Sequence, residues 1–374
     1  DDLKMRSTIL ILFPSPHDLP SAFTRRQALW LLTGLVGSLG LQGCDSLPPW
    51  VSLGKPAPPD PPTPTRPSDS IILGLVPWIG YAPFYVAAGK GLFARRNVVV
   101  EAKEFWAGAD ALASFAAGNL TAQAATNPEA VAQAARGVGY RIVMVADASA
   151  GSDGILARDG IKDVADFKGR QVAVDAGGAS YYLLLQALKE KANLTINDIE
   201  LVNLPADAAA QAYADGTVEI AVTYEPFLSE ADQAQPQGRI FLDSAALPTA
   251  IMDVYLFQPR FVAQYPDKIQ AFVDSLVEAQ ALIKAEPKEA ERLIAAGLGI
   301  TAAEVAEQLA QVELISLALN QAMLVNQTGG RSLRQSMLLL SEFLAQQGAI
   351  PSPLDEAQVA GLIDPQFVQA AKES

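Results

Sequence analysis

From residue 71 to residue 257 short apolar runs alternate with helix-sized segments, and this alternation constrains the fold more than anything else in the chain. Residues 71–76 form an apolar run bounded by Pro77, which predicts a buried strand. A helix is predicted over 82–93, then a strand over 98–100 and a helix over 110–117 ending at Gly118. A strand over 122–125, a helix over 128–136 with Asn127 as its cap, and a strand over 141–146 complete the first series. After Gly151 and Gly154 a second series begins with 155–157. Strands over 171–174, 200–203, 218–222 and 239–242 are spaced by helices over 180–191, 206–214 and 226–234. Residues 251–257 read as a return segment.

Beyond Phe261 the pattern is helical. Ile269, Phe272, Val273, Leu276 and Ile283 follow the 3.6 period, Thr301-x-x-Glu304 is a capping box, and Gly348 ends a helix over 332–347. Alternating strands and helices imply parallel, doubly wound sheets. The expected fold is α/β with two lobes, each built on one such sheet, and a ligand cleft between them. Residues 70–157 plus 251–374 form the first lobe and 158–250 the second.

The segment before the first strand is of another kind. Arg25-Arg26, an apolar run over 28–41 and Leu41-Gln42-Gly43-Cys44 predict a secretory signal segment over 1–43. The apolar run is shorter than the roughly 20 residues that cross a bilayer. Leu-Gln-Gly-Cys resembles the lipobox of bacterial lipoproteins, which implies that Cys44 carries lipid. Over 44–69 prolines at 48, 49, 56, 58, 59, 61, 62, 64 and 67 predict an extended linker of polyproline type.

Counts of single residue types narrow the chemistry. Cys44 is the only cysteine and His17 the only histidine, and both lie before the first strand. That excludes internal disulfides, cysteine-built zinc sites and the Ser-His-Asp and Cys-His nucleophile arrangements. Half of the residues are apolar and 18% are charged, with a formal net charge of −14. Without residues 1–43 the balance is 23 basic to 38 acidic residues. A nucleic-acid partner needs the opposite sign.

Several motifs occur in the order of one family. Leu75-Val76-Pro77-Trp78, Tyr81-Ala82-Pro83-Phe84-Tyr85-Val86-Ala87 and Lys90-Gly91-Leu92-Phe93 come first. Phe167-Lys168-Gly169-Arg170-Gln171-Val172-Ala173-Val174, Leu183 to Leu188, Asp215 to Ala221 and Tyr224-Glu225-Pro226-Phe227 follow. Over about residues 70–285 the chain resembles the periplasmic solute-binding proteins of ABC importers of the nitrate/sulfonate/taurine type, the SsuA/THI5-like (NMT1) group. The resemblance implies a periplasmic-binding-protein fold of type II and a receptor whose lobes close about a hinge around a small solute. It also implies ABC permease and ATPase subunits as partners, and a location on the periplasmic side of a bacterial cell membrane, tethered through Cys44. A monomer without catalytic residues, cofactor or metal is expected. A sensory or structural lipoprotein on the same fold is the alternative. The thiamine-pyrimidine synthase that the THI5 name denotes uses histidine as a reactant, which this chain lacks after residue 43.

Ligands of open α/β sheets bind outside the carboxyl ends of the strands. Trp78 and Tyr81 follow the first strand and Trp106 the second; such aromatics stack on a ligand or pack beneath a loop. Asn127 caps its helix, binds ligand, or does both. The turn from Asp175 to Ser180 leads into a helix whose free N–H groups suit an anionic oxygen, unless Ser180 is simply its cap. Tyr224 and Glu225 follow a later strand, and Asp253 lies on the return segment. Asp175, Glu225 and Asp253 gather carboxylates with no basic residue near the strand ends. Buried carboxylates need a partner. A cationic or zwitterionic nitrogen compound, such as guanidine or an amine, supplies it, with cation–π attraction from the aromatics. The alternative is that Glu225 and Asp253 serve the hinge or helix caps.

Overall fold

The computed structural model describes residues 69–246, 251–326 and 332–373. The signal segment 1–43, Cys44 and all but the last residue of the linker lie outside the described residues.

The apolar runs become strands, and the inner ones are buried on both faces, as sheets covered by helices on each side require, while the edge strands β2, β7 and β9 stay partly exposed. The first series gives β1 (Ile71–Leu75), β2 (Val100–Glu104), β3 (Ala122–Thr126) and β4 (Arg141–Ser149). The second gives β5 (Asp153–Arg158), β6 (Gln171–Val174), β7 (Glu200–Asn203), β8 (Ile220–Tyr224) and β9 (Gly238–Asp243). The return segment is β10 (Met252–Phe257), and β11 (Val312–Leu314) is a strand that the helical pattern of the tail concealed. The sheets run β11-β4-β10-β3-β1-β2 and β7-β6-β8-β5-β9.

Both sheets are mixed rather than wholly parallel. β1 is parallel to β2 and β3, and β6 to β7 and β8. β10 is antiparallel to β3 and β4, and β5 to β8 and β9. The reason is the route of the chain. A segment arriving from the other lobe enters at the carboxyl edge of the parallel strands, so it must run against them. β5 therefore belongs wholly to the second sheet, which moves the expected lobe boundary from 157/158 back to the crossover at 150–152.

The two crossovers are joined by hydroxyls. Ser149 Oγ and Ser244 Oγ lie 2.7 Å apart, and Gly151 N donates to Ser244 Oγ at 2.8 Å.

The helices that support the sheets are α1 (Ala82–Gly89), α2 (Leu92–Arg95), α3 (Gly108–Ala116), α4 (Asn127–Ala135), α5 (Ala179–Ala192), α6 (Ala206–Ala214) and α7 (Phe227–Ala234). The helix predicted over 82–93 is two helices, because Gly91 takes a left-handed conformation between them. In the tail come α8 (Pro259–Gln264), α9 (Pro266–Ala285), α10 (Pro287–Leu298) and α11 (Ala302–Leu309). Then follow α12 (Leu317–Val325), α13 (Leu333–Gln346), α14 (Glu356–Leu362) and α15 (Gln366–Ala370). α9 buries the predicted stripe of Ile269, Phe272, Val273 and Leu276, with Phe272 stacked on Phe93 at 5.5 Å. Thr301 caps α11 through the predicted box, and Ser332 caps α13. Among the described residues no helix is long and apolar enough to cross a membrane.

Candidate functional site

The carboxyl ends of β1, β3, β6 and β8 and the starting ends of β5 and β10 meet at one place. A cavity of about 50 Å³ lies there, lined from both lobes. The first lobe contributes Trp78, Tyr81, Gln123, Thr126, Glu129 and Asp253, and the second Asp153, Asp175, Ser180 and Tyr224. Four carboxylates thus face one small space, and a fifth, Asp147, lies behind Trp78. No Lys, Arg or His among the described residues lines it.

Each acid is held by its element. Asp147 extends β4, and both its oxygens accept from Trp78 Nε1, at 3.2 and 3.3 Å. Gly80 is required beside this pair, because a Cβ there would collide with the Asp147 carboxylate and the Trp78 indole nitrogen. Asp253 is paired across the sheet with both Thr126 and Asp147, and Tyr81 Oη donates to its carboxylate. Glu129 closes a capping box, accepting from Thr126 N at 2.8 Å and Thr126 Oγ1 at 3.1 Å. Asp153, at the start of β5, has its Oδ2 buried without a hydrogen-bond partner. Asp175 folds onto its own turn, accepting from Gly177 N at 3.1 Å.

Burial dominates the electrostatics. It raises Glu129 to about 7, against the donors on Thr126, with Asp175 and Asp153 adding repulsion. It raises Asp153 to about 6, with Glu225 adding repulsion. It raises both Asp147 and Asp253, and each feels the other acids. The cluster therefore holds protons near neutral pH, or exchanges them for a positive charge placed among the carboxylates. Despite the number of acids, no group of three or more among the described residues is arranged to hold a metal ion.

Of the residues singled out from sequence, Trp78, Tyr81, Asp175, Ser180, Tyr224 and Asp253 line this cavity. Trp78 meets Tyr224 edge-on across the cleft, with centroids 5.8 Å apart. Ser180 does not cap α5; Gly178 does, and the buried Ser180 Oγ has no hydrogen-bond partner. Asn127 is not a cap either. Thr126 is, because its box with Glu129 starts the helix one residue earlier. The Asn127 Oδ1 instead accepts from Met252 N at 2.9 Å, pinning the start of β10 to the end of β3. Trp106 and Glu225 do not reach the cavity; both line a second one that shares Trp78. Glu225 is bound by the helix that follows it, α7, accepting from Ser229 Oγ at 2.5 Å and Ser229 N at 3.2 Å.

Glu129, Asp147 and Asp153 were not among the predicted site residues. A signal existed for Glu129, since Thr126-x-x-Glu129 has the spacing of the box recognised at Thr301. Asp147 and Asp153 were hidden by ending β4 at 146 and starting β5 at 155.

Two α/β lobes, two crossovers and a polar cavity between them define the periplasmic-binding-protein fold, and solved structures agree. The alkanesulfonate-binding protein SsuA from Xanthomonas axonopodis pv. citri, bound to MOPS, superposes with a TM-score of 0.65 at 18% identity, over 79% of this chain and 98% of that one. The nitrate-binding protein NrtA from Synechocystis PCC 6803 gives 0.63 at 14% identity, over 80% of this chain and 87% of that one. Residues 78–290, more than half of the chain, match the family described as NMT1/THI5 like, and the chain belongs to that family. It is 26% identical over 212 residues to the taurine-binding periplasmic protein of Escherichia coli (strain K12). That match spans 55% of this chain and 64% of that protein, just under two thirds of its length.

Proposed function

We propose that the protein is the solute-binding receptor of an ABC importer and that its solute is a small organic cation, a guanidinium or amine compound. The carrying observation is the lining of the cavity: Glu129, Asp153, Asp175 and Asp253 with no basic side chain among the described residues. A simple anion brought there meets four carboxylates and no basic side chain among the described residues, which argues against nitrate and bicarbonate. A cation with several N–H donors supplies what the buried acceptors lack, beginning with Asp153 Oδ2. Trp78 and Tyr224 offer their rings to the same ion. Because the acids come from both lobes, the cation draws the lobes together, and the closed form is the one delivered to the permease. The tether on Cys44 keeps the receptor at the periplasmic face of the membrane.

A zwitterion is the second reading, favoured by one observation. The α5 start has no side-chain cap, and Ser180 Oγ lies there without a partner. A sulfonate or carboxylate fits that end while an ammonium group takes the carboxylates.

The test is the melting temperature of the purified protein against guanidinium, alkylamines, polyamines, urea, taurine, alkanesulfonates, nitrate and bicarbonate. A ligand of the folded state alone, at 100 times its Kd, adds about 2.7 kcal/mol. A shift with guanidinium or amines supports the cation. A shift with taurine but not with simple amines selects the zwitterion. A shift with nitrate or an alkanesulfonate alone overturns both readings.

A further inference from the structure

The second cavity, about 170 Å³, is over three times the size of the first and is likewise bordered by both lobes. Trp78, Trp106 and the junction of α10 and α11 form one side; Glu225, Phe227 and Glu230 form the other. We propose that it is a separate binding site for a small organic ammonium ion. The proposal rests on this cavity's own lining and is independent of the first cavity's solute.

Four features agree on the sign of the charge. Glu225, just before α7, is 1% exposed in the wall, and Glu230 of α7 adds a second carboxylate. Gln308, only 5% exposed, has its Oε1 buried without a hydrogen-bond partner, so the wall carries an acceptor that awaits a donor. The carboxyl end of the 12-residue α10 comes to the cavity at Leu298, Gly299 and Ile300, bringing the negative pole of the helix dipole. No Lys, Arg or His among the described residues lines the space. An anion finds no side chain of opposite charge, and an apolar solute leaves the Gln308 Oε1 without a donor.

The aromatic residues narrow the chemistry further. Trp106 is a large ring left 61% exposed at the rim, and Trp78 and Phe227 complete three aromatic walls. A cluster of rings beside carboxylates suits an alkylated ammonium ion, whose methyl groups pack on the ring faces while its charge is drawn to them. Tyr224 touches both Trp78 and Phe227, with each pair of centroids 5.8 Å apart, so the aromatic contact runs from one cavity to the other. An ion bound between Trp106 and Glu230 contacts both lobes and favours their closed arrangement.

Calorimetric titration of the purified protein with tetramethylammonium chloride tests this, with sodium chloride as the control for ionic strength. Saturable binding is expected, weakened about tenfold or more by Trp106→Ala and by Glu230→Gln, with Trp106→Phe in between. In Asp153→Asn, which alters the first cavity, saturable binding is expected to persist and to remain sensitive to Trp106→Ala. Both outer residues are exposed, so unchanged melting curves will show that their variants fold. Absence of saturable binding up to about 50 mM, or binding insensitive to Trp106→Ala and Glu230→Gln, overturns the proposal.

Discussion

The two lobes bring different chemistry to the same cavity. The acids of the first lobe are already tied down: Asp147 to the Trp78 indole, Asp253 to the Tyr81 hydroxyl, Glu129 to Thr126. The second lobe faces them with atoms that have nothing to bond, Asp153 Oδ2 and Ser180 Oγ. One half is a fixed frame of hydrogen-bonded acids; the other presents buried polar atoms without partners. A site divided this way spends little ligand affinity on ordering its own side chains.

The largest test of that division is pH. Glu129 at about 7 and Asp153 at about 6 lie above their ordinary values of 4.5 and 3.8. Between those limits the folded chain holds protons that the unfolded chain has released. Stability of the free protein is therefore greatest at low pH in this range and is lost as pH rises through the folded values. At about 1.4 kcal/mol per pH unit, Glu129 alone contributes on the order of 3 kcal/mol, read as a melting temperature that falls between about pH 5 and pH 8. Cation affinity should move the opposite way, rising with pH as the carboxylates ionise. A free protein that melts higher at pH 8 than at pH 5 would show its acids to be already compensated.

Asp153→Asn sharpens the contrast from the second lobe. Affinity for guanidinium should fall about 100-fold, close to 2.7 kcal/mol, while the free protein melts higher because a carboxylate destabilised by burial is gone. Calorimetry and thermal melting read the two effects separately, and a loss of both affinity and stability would assign Asp153 to the frame. Tyr81→Phe probes the first lobe. It leaves Asp253 without its donor and should cost about 1–3 kcal/mol of stability, measured by denaturant unfolding. Ser180→Ala should be the mildest, with stability within about 0.5 kcal/mol because no hydrogen bond is lost. A selective drop in taurine affinity in that variant would favour the zwitterion.

The same division explains what could be read from the sequence. Trp78, Tyr81, Asp175, Ser180, Tyr224 and Asp253 follow strands or sit on the return segment, where the α/β rule directs attention. Asp147 and Asp153 lie where a strand runs on towards the crossover, and their single charges look like loop residues beside the apolar runs. Which cavity a residue faces is not a local property. Trp106 follows the edge strand β2 and Glu225 begins the turn into α7, so both point to the outer cavity although each obeys the strand-end rule. The mixed sense of the sheets was hidden for a similar reason, since an isolated strand carries no sign of the edge by which it enters.

The hydroxyl pair Ser149–Ser244 has a mechanical consequence. Two separate straps between two bodies can shear past one another, which permits both twisting and bending. Straps buttoned together where one leaves the first lobe and the other leaves the second cannot slide past one another at that point without breaking the bonds from Ser149 and Gly151 to the Ser244 hydroxyl.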